Sequence, residues 1–232
     1  MLAAELLEAR GVGTCRILTL IETGERLTRY DEASPTRSCV MTRLSWSHVR
    51  YGPWRFLPEL DPLFTAAYFD HTKLYCFARQ PEAVFWNLQR LAEALSELLP
   101  LAELAPALHG FGAALDQALR RRLAARLGLK GMDEGLLGGL ESFLRARTVG
   151  YDEFFHRYWG GEVRVDEAGP EFAAFARELE RAEPSGLPRP PLCSLLIDEV
   201  RAIWADIAER DDRSAFDAKV KAIRASRLPS LD

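Results

Sequence analysis

The chain has 232 residues, 48% of them apolar and 28% charged, with a formal net charge of −4. That length and apolar content are enough to bury a substantial core. The near balance of charge excludes a general nucleic-acid or membrane-surface binder, so any recognition of anions has to be local. Cys15, Cys39, Cys76 and Cys193 form no CxxC pair and no zinc-type spacing with histidine, and read as thiols of a reducing compartment. The opening Met1-Leu2-Ala3-Ala4-Glu5 has no basic n-region, and no apolar run approaches the roughly 20 residues that span a bilayer. A cytoplasmic protein is expected.

Residues up to Arg10 are rich in Ala, Leu and Glu and stop at Gly11, which predicts a helix closed by a glycine able to take positive φ. Arg16 to Ile21 reads as a strand, Thr23-Gly24-Glu25 as a turn, Arg26 to Tyr30 as the second arm of a hairpin, and Ser38 to Leu44 as a third strand. From Tyr51 to Phe77, Pro53, Pro58 and Pro62 forbid a continuous helix or a central strand and predict an irregular segment pinned by aromatic rings. Pro81 suits a first helical position, and Val84, Leu88, Leu91, Leu95 and Leu98 follow at helical spacing. Further helices are expected through Phe111 to Leu127, ending at Gly128, from near Asp133 to Leu144, around Phe154 to Tyr158, and from Pro170 to Arg181. The stretch from Glu183 to Pro191, with Pro184, Pro188, Pro190 and Pro191, reads as a linker. Leu196 to Ile207 and Phe216 to Ile223 predict the last two helices. The fold class is α+β, mostly α, with residues 1–50 as a small helix-plus-antiparallel-sheet lobe and residues 51–232 as a larger helical lobe.

Two stretches carry specific motifs. Downstream, Tyr51-Gly52-Pro53-Trp54-Arg55-Phe56-Leu57-Pro58, Asp61-Pro62-Leu63-Phe64-Thr65 and Arg79-Gln80-Pro81-Glu82-Ala83 run into Trp86-Asn87-Leu88. Upstream stand Gly11-Val12-Gly13-Thr14, Ile21-Glu22-Thr23-Gly24-Glu25, and Arg43 through Ser47-His48-Val49-Arg50. Together they resemble the selenoprotein O (YdiU) family, kinase-like protein adenylyltransferases, with a looser likeness from Leu123 to Phe155. The resemblance implies a reduced kinase-like fold, ATP and Mg²⁺ as cofactors, and transfer of AMP to Ser, Thr or Tyr hydroxyls of a protein partner. It gives no reason to expect nucleic acid or membrane as a partner. In the family the two blocks are separated by the catalytic loop, whereas here Arg50 adjoins Tyr51, as if an internal segment were deleted and the N-terminus shortened.

Arg43 and Arg50 are the candidate phosphate-binding residues. An arginine pair offers two planar forks of donors that stay charged, and the resemblance implies contact with the terminal phosphates of a nucleotide. Positions seven apart on an uninterrupted strand point to opposite faces, so residues 45–48 must turn or bulge if both are to converge. The alternative is a pair of solvated surface arginines. Glu5 stands where the family has a glutamate that pairs with the nucleotide-binding lysine, yet no lysine precedes Lys73, which leaves Glu5 open as a plain helix-surface charge.

Kinase-like sites hold Mg²⁺ with an Asp and an Asn. The Asp that precedes Tyr-Gly-Pro in the family is replaced by Arg50, and the single asparagine, Asn87, belongs to the Trp-Asn-Leu helix. Asp61 and Asp70-His71 are the nearest acidic substitutes, but Asp61 before Pro62 reads more simply as a turn residue and Asp70-His71 as a local hydrogen-bonding pair, so no metal ligand and no retained catalytic residue is assigned. His48 and His156 have no nucleophile partner that would make a triad. Trp54, Phe56, Phe64, Phe69 and Tyr75 read as core, Arg120-Arg121-Arg122 as a solvated helix face, and Gly138-Gly139 as helix interior. Three functional readings follow: an adenylyltransferase of impaired activity, a non-catalytic nucleotide- or protein-binding scaffold, and a fragment without a function of its own.

Overall fold

The computed structural model describes residues 2–11, 14, 16–28, 34–44, 56–65, 70–146, 149–163 and 169–228. These residues are mostly helical, with one small antiparallel two-stranded sheet. They fall into two compact units, Met1–Arg50 with Pro190–Leu228, and Tyr51–Arg189. Among the described residues no helix is long and apolar enough to cross a membrane.

In the first unit, α1 (Leu2–Ala9) buries Leu2, Leu6 and Ala9 and ends at Gly11, whose φ of 70° only glycine adopts without cost. β1 (Arg16–Leu27) pairs antiparallel with β2 (Thr36–Leu44). The hairpin expected at Thr23-Gly24-Glu25 is not a hairpin: β1 runs through it, and chain reversal falls between Leu27 and Thr36. The register passes from Glu22↔Cys39 to Arg26↔Arg37, so Thr23, Gly24 and Glu25 together oppose Ser38. Gly24, at φ 75°, supplies the bulge, and the Thr23 and Ser38 hydroxyls hydrogen-bond across it. The same local chemistry signals turn and bulge alike, and the partner strand decides between them.

The C-terminal part of this unit consists of α7 (Ile197–Arg210) and α8 (Ser214–Ala225). α8 packs on α1, with Ile223 fully buried, and the Leu228 N–H donates to the Ala9 carbonyl at 2.9 Å. Arg10 donates from one guanidinium nitrogen to the Ser226 carbonyl at 3.1 Å and from the other to the Cys193 carbonyl at 2.7 Å.

The second unit begins its helices with α2 (Gln80–Leu95), where Pro81 sits in the first turn, and α3 (Leu101–Leu127). α3 starts ten residues before Phe111 and runs through Pro106, whose missing N–H removes one i→i−4 hydrogen bond from the helix. It ends at Gly128 in the left-handed region, φ 65°. α4 (Glu134–Arg145) is capped by Asp133, whose carboxylate accepts from the Leu136 N–H at 2.8 Å. A capping carboxylate of this kind contributes about 1 kcal/mol. α5 (Tyr151–Arg157) and α6 (Pro170–Leu179) complete the core.

That core is aromatic. Phe143 of α4 stacks on Phe175 of α6, with centroids 5.7 Å apart and planes 6° apart, and Phe154 and Tyr158 close around the same pair. Such pairs contribute about 0.5–1.5 kcal/mol each beyond area burial. The segment that reads as a linker is tied to this core up to Leu187: the Lys130 N–H donates to the Glu183 carbonyl, the Ser185 N–H to the Gly128 carbonyl, and the Trp159 indole to the Leu187 carbonyl.

Candidate functional site

Arg43 lies on β2, paired in register with Ile17, one residue before the strand ends at Leu44. Arg50, together with the turn required at residues 45–48, and also His48, Trp54 and Phe69, lies outside the described residues. Glu5 is engaged within α1's own unit. Both of its carboxylate oxygens accept from the Arg224 guanidinium of α8, each at 3.1 Å. Hydrogen bonding to Glu5 raises the Arg224 pKa.

A second arginine organises the sheet. Arg37 on β2 grips both oxygens of Glu22 on β1, donates to the Ile207 carbonyl of α7 at 2.6 Å and reaches Asp211 at 3.2 Å. Asp211 closes α7 in the left-handed region at φ 53°. One guanidinium thereby adds a second donor to the Ile207 carbonyl, which already accepts from the Asp211 N–H, and fixes the strand pair. Its hydrogen bonds hold Glu22 below the ordinary carboxylate range.

In the second unit, Asp61 and Asp70 are committed to their own loops. The Asp61 carboxylate accepts from the Leu63 N–H at 3.1 Å, and its carbonyl from the Phe64 N–H. Asp70 is 7% exposed. One of its oxygens accepts from the Leu74 N–H, the other from the Tyr75 N–H, each at 2.8 Å. Burial alone would raise this carboxyl, but those N–H groups and the hydroxyls of Thr65 and Thr72 outweigh it and hold it below its ordinary value. Among the described residues no group of three or more His, Cys, Asp or Glu side chains is placed to share a metal ion. Tyr75, expected in the core, is half exposed at 52%, because its backbone N–H rather than its ring anchors the loop.

An open cleft of about 520 Å³ lies beside Trp159, with Gly128, Gly160, Pro184 and Leu187 on its walls and the Glu162–Arg189 ion pair at its edge. Its one cation is already neutralised by its one carboxylate, so it offers no general base and no unpaired anion receptor. On the far side of α3, Arg126 bonds Asp152 at 2.6 Å and lies 4.1 Å over the Phe155 ring. Arg37 carried no distinguishing signal in the sequence, since its partners are set by tertiary contact, whereas Asp70 and Arg126 stand in stretches that the sequence singles out and only their partners were not legible there.

A family model described as Protein adenylyltransferase SelO matches residues 1–53 and 49–165. Among similar curated proteins, each named Protein nucleotidyltransferase YdiU, that of a Synechococcus strain is 30% identical over 243 aligned positions, covering 68% of this chain and 49% of the relative. The Gloeobacter violaceus relative is 28% identical over 323 positions, covering 93% and 67%, and that of Vibrio parahaemolyticus 34% identical over 108 positions, covering 45% and 22%. The chain spans about half the length of the first of these. Alignments of 243 and 323 positions exceed the 232 residues present, so these relatives carry residues that have no counterpart here. The two family-model matches meet at residues 49–53, Val-Arg-Tyr-Gly-Pro.

Proposed function

The chain belongs to the protein adenylyltransferase SelO family, and we propose that it keeps the phosphate-binding end of a nucleotidyltransferase while its transfer step is impaired. On this reading residues 1–50 are the remnant of a nucleotide-binding lobe in a reduced kinase-like fold and the helical lobe begins at Tyr51, although its expected extent to residue 232 is shortened by α7 and α8, which group with the first unit. Arg43 and Arg50 together hold the terminal phosphates of ATP. The family reaction joins a protein hydroxyl oxygen to the α-phosphorus, releases pyrophosphate and passes the hydroxyl proton to a base. Each phosphate or base contact absent from such a step removes several kcal/mol of transition-state stabilisation.

The observation that supports impairment is the meeting of the two family matches at residues 49–53, with alignments longer than the chain. The family's metal-binding Asp and catalytic loop would fall at that junction. Asp61 and Asp70 are poor substitutes for that Asp, because both Asp70 oxygens and one Asp61 oxygen already accept from loop N–H groups. The test is incubation with α-labelled ATP, Mg²⁺ and a protein acceptor mixture, beside an Arg43→Ala/Arg50→Ala control. Incorporation equal to the control is expected, and incorporation well above it overturns the impairment.

A scaffold role is favoured by a separate observation, the large apolar side chains left exposed on α2 and at the tip beyond it, Val84, Leu91 and Leu98.

A further inference from the structure

α2 and α3 form an antiparallel hairpin, joined through residues 96–100 and stapled by the Phe85–Phe111 stack at 5.7 Å. The α2 row facing α3 is Phe85, Leu88, Ala92 and Leu95, and the α3 row facing back is Leu104, Leu108, Phe111, Leu115 and Ala118; all but Leu115, at 37% exposure, are at least partly buried. One residue before the α2 row runs a second row at the same three-and-four spacing, Val84, Asn87, Leu91 and Ala94. All four are exposed, with Val84 at 40% and Leu91 at 52%.

Because the helices are antiparallel, the row one residue before the contact row on α3 lies on the same flank. That row is Ala107, Gly110, Ala114 and Gln117, also exposed, and a β-carbon on Gly110 would meet nothing within 4 Å. One flank of the hairpin thus carries a ridge of large side chains on α2 beside a furrow of small ones on α3, with no charge between its ends. The opposite flank is built differently, being charged as well as apolar, with Arg90 over the exposed Trp86 ring and paired to Glu93.

The charges at the two ends name the occupant. Between Arg90 and Arg120 the sequence has no lysine or arginine, and the tip carries Glu97 and Glu103, while the base carries Arg120, Arg121 and Arg122. Among the described residues Glu97, Glu103, Arg121 and Arg122 have no ion-pair partner within the chain. A second hairpin laid antiparallel on the flank meets acid with base at both ends. With the two-fold axis crossing α2 at Asn87, α2 of one copy lies antiparallel on α2 of the other, so Asn87 falls opposite itself and Leu91 beside Val84. A lone Asn in an apolar helix seam fixes register and the number of helices in this way.

We propose that this flank docks on the same flank of a second copy of the chain, making a two-fold four-helix bundle of two α2–α3 hairpins. The test is the mass of the full chain by sedimentation and light scattering across concentration. A dimer is expected, and Leu91→Glu should weaken it by at least about tenfold with unchanged circular dichroism. Two charge-reversed variants extend the test, Glu97→Lys/Glu103→Lys and Arg121→Glu/Arg122→Glu. Each alone should be monomeric, and an equimolar mixture should dimerise, because only the mixed pair restores acid against base at both ends. A chain that stays monomeric at every concentration leaves the flank to a different partner and overturns the proposal. So does a dimer indifferent to Leu91→Glu, or charge variants that fail to complement.

Discussion

The Cα of Phe175 on α6 lies so close to Gly139 on α4 that a β-carbon on the glycine would stand 3.1 Å from it. The stacked Phe143–Phe175 pair depends on that approach, since the rings meet only while the two helix backbones stay this near. Gly139→Ala must push α6 away and is expected to cost about 1–3 kcal/mol. Its neighbour Gly138 faces open space, so Gly138→Ala is expected to stabilise by about 0.5–1 kcal/mol through helix propensity alone. Urea unfolding of the two variants at unchanged m-value separates them.

Arg126 is held by an ion pair and by ring contacts at once. Asp152 is 2.6 Å away, with side-chain exposures of 20% and 17% for the pair, and the Phe155 and Tyr151 rings lie under the guanidinium. Arg126→Ala removes the charged partner of a largely covered carboxylate and should cost about 1–3 kcal/mol. Arg126→Lys keeps the charge, loses the planar stacking and should fall between. The unfolding free energies of the three proteins check the order.

Much of the helical unit was legible because its signals are local. Pro81 at the start of α2, Asp133 capping α4 and Gly128 closing α3 each act within one turn of chain, so their residue types suffice. Gly24 misled because a glycine between strand-like runs serves a hairpin or a bulge equally, and only the pairing of Arg26 with Arg37 tells them apart. The candidate site was legible as motif rather than as geometry. Arg43 falls on a strand as its neighbours predict, whereas the Glu5–Arg224 clasp joins residues 219 apart and left no trace in local sequence.

Asp70 should make stability depend on pH in one direction. Its carboxyl is held below its ordinary value in the folded protein, so the unfolded chain takes up the proton first on acidification. The contribution is therefore complete above the ordinary carboxylate value, roughly pH 4, and is lost as pH falls through the lower folded value. Thermal midpoints measured from neutral pH downward should fall more steeply below about pH 4 in the wild type than in Asp70→Asn. Parallel curves would remove Asp70 as the cause.

Glu5 is occupied by Arg224 on both oxygens, so Glu5→Gln should loosen the α1–α8 contact and leave nucleotide affinity unchanged. The loss of stability should shrink in high salt, because Arg224 is 64% exposed and such pairs are screened. A change in ATP affinity on the same substitution would place Glu5 at the nucleotide instead.

The phosphate-binding role of Arg43 and Arg50 is tested most directly by calorimetric titration of the full chain with ATP, with and without Mg²⁺. Saturable binding that persists without the metal and is abolished in Arg43→Ala/Arg50→Ala is the predicted result. Absence of saturable binding, or binding untouched by the double substitution, would contradict it.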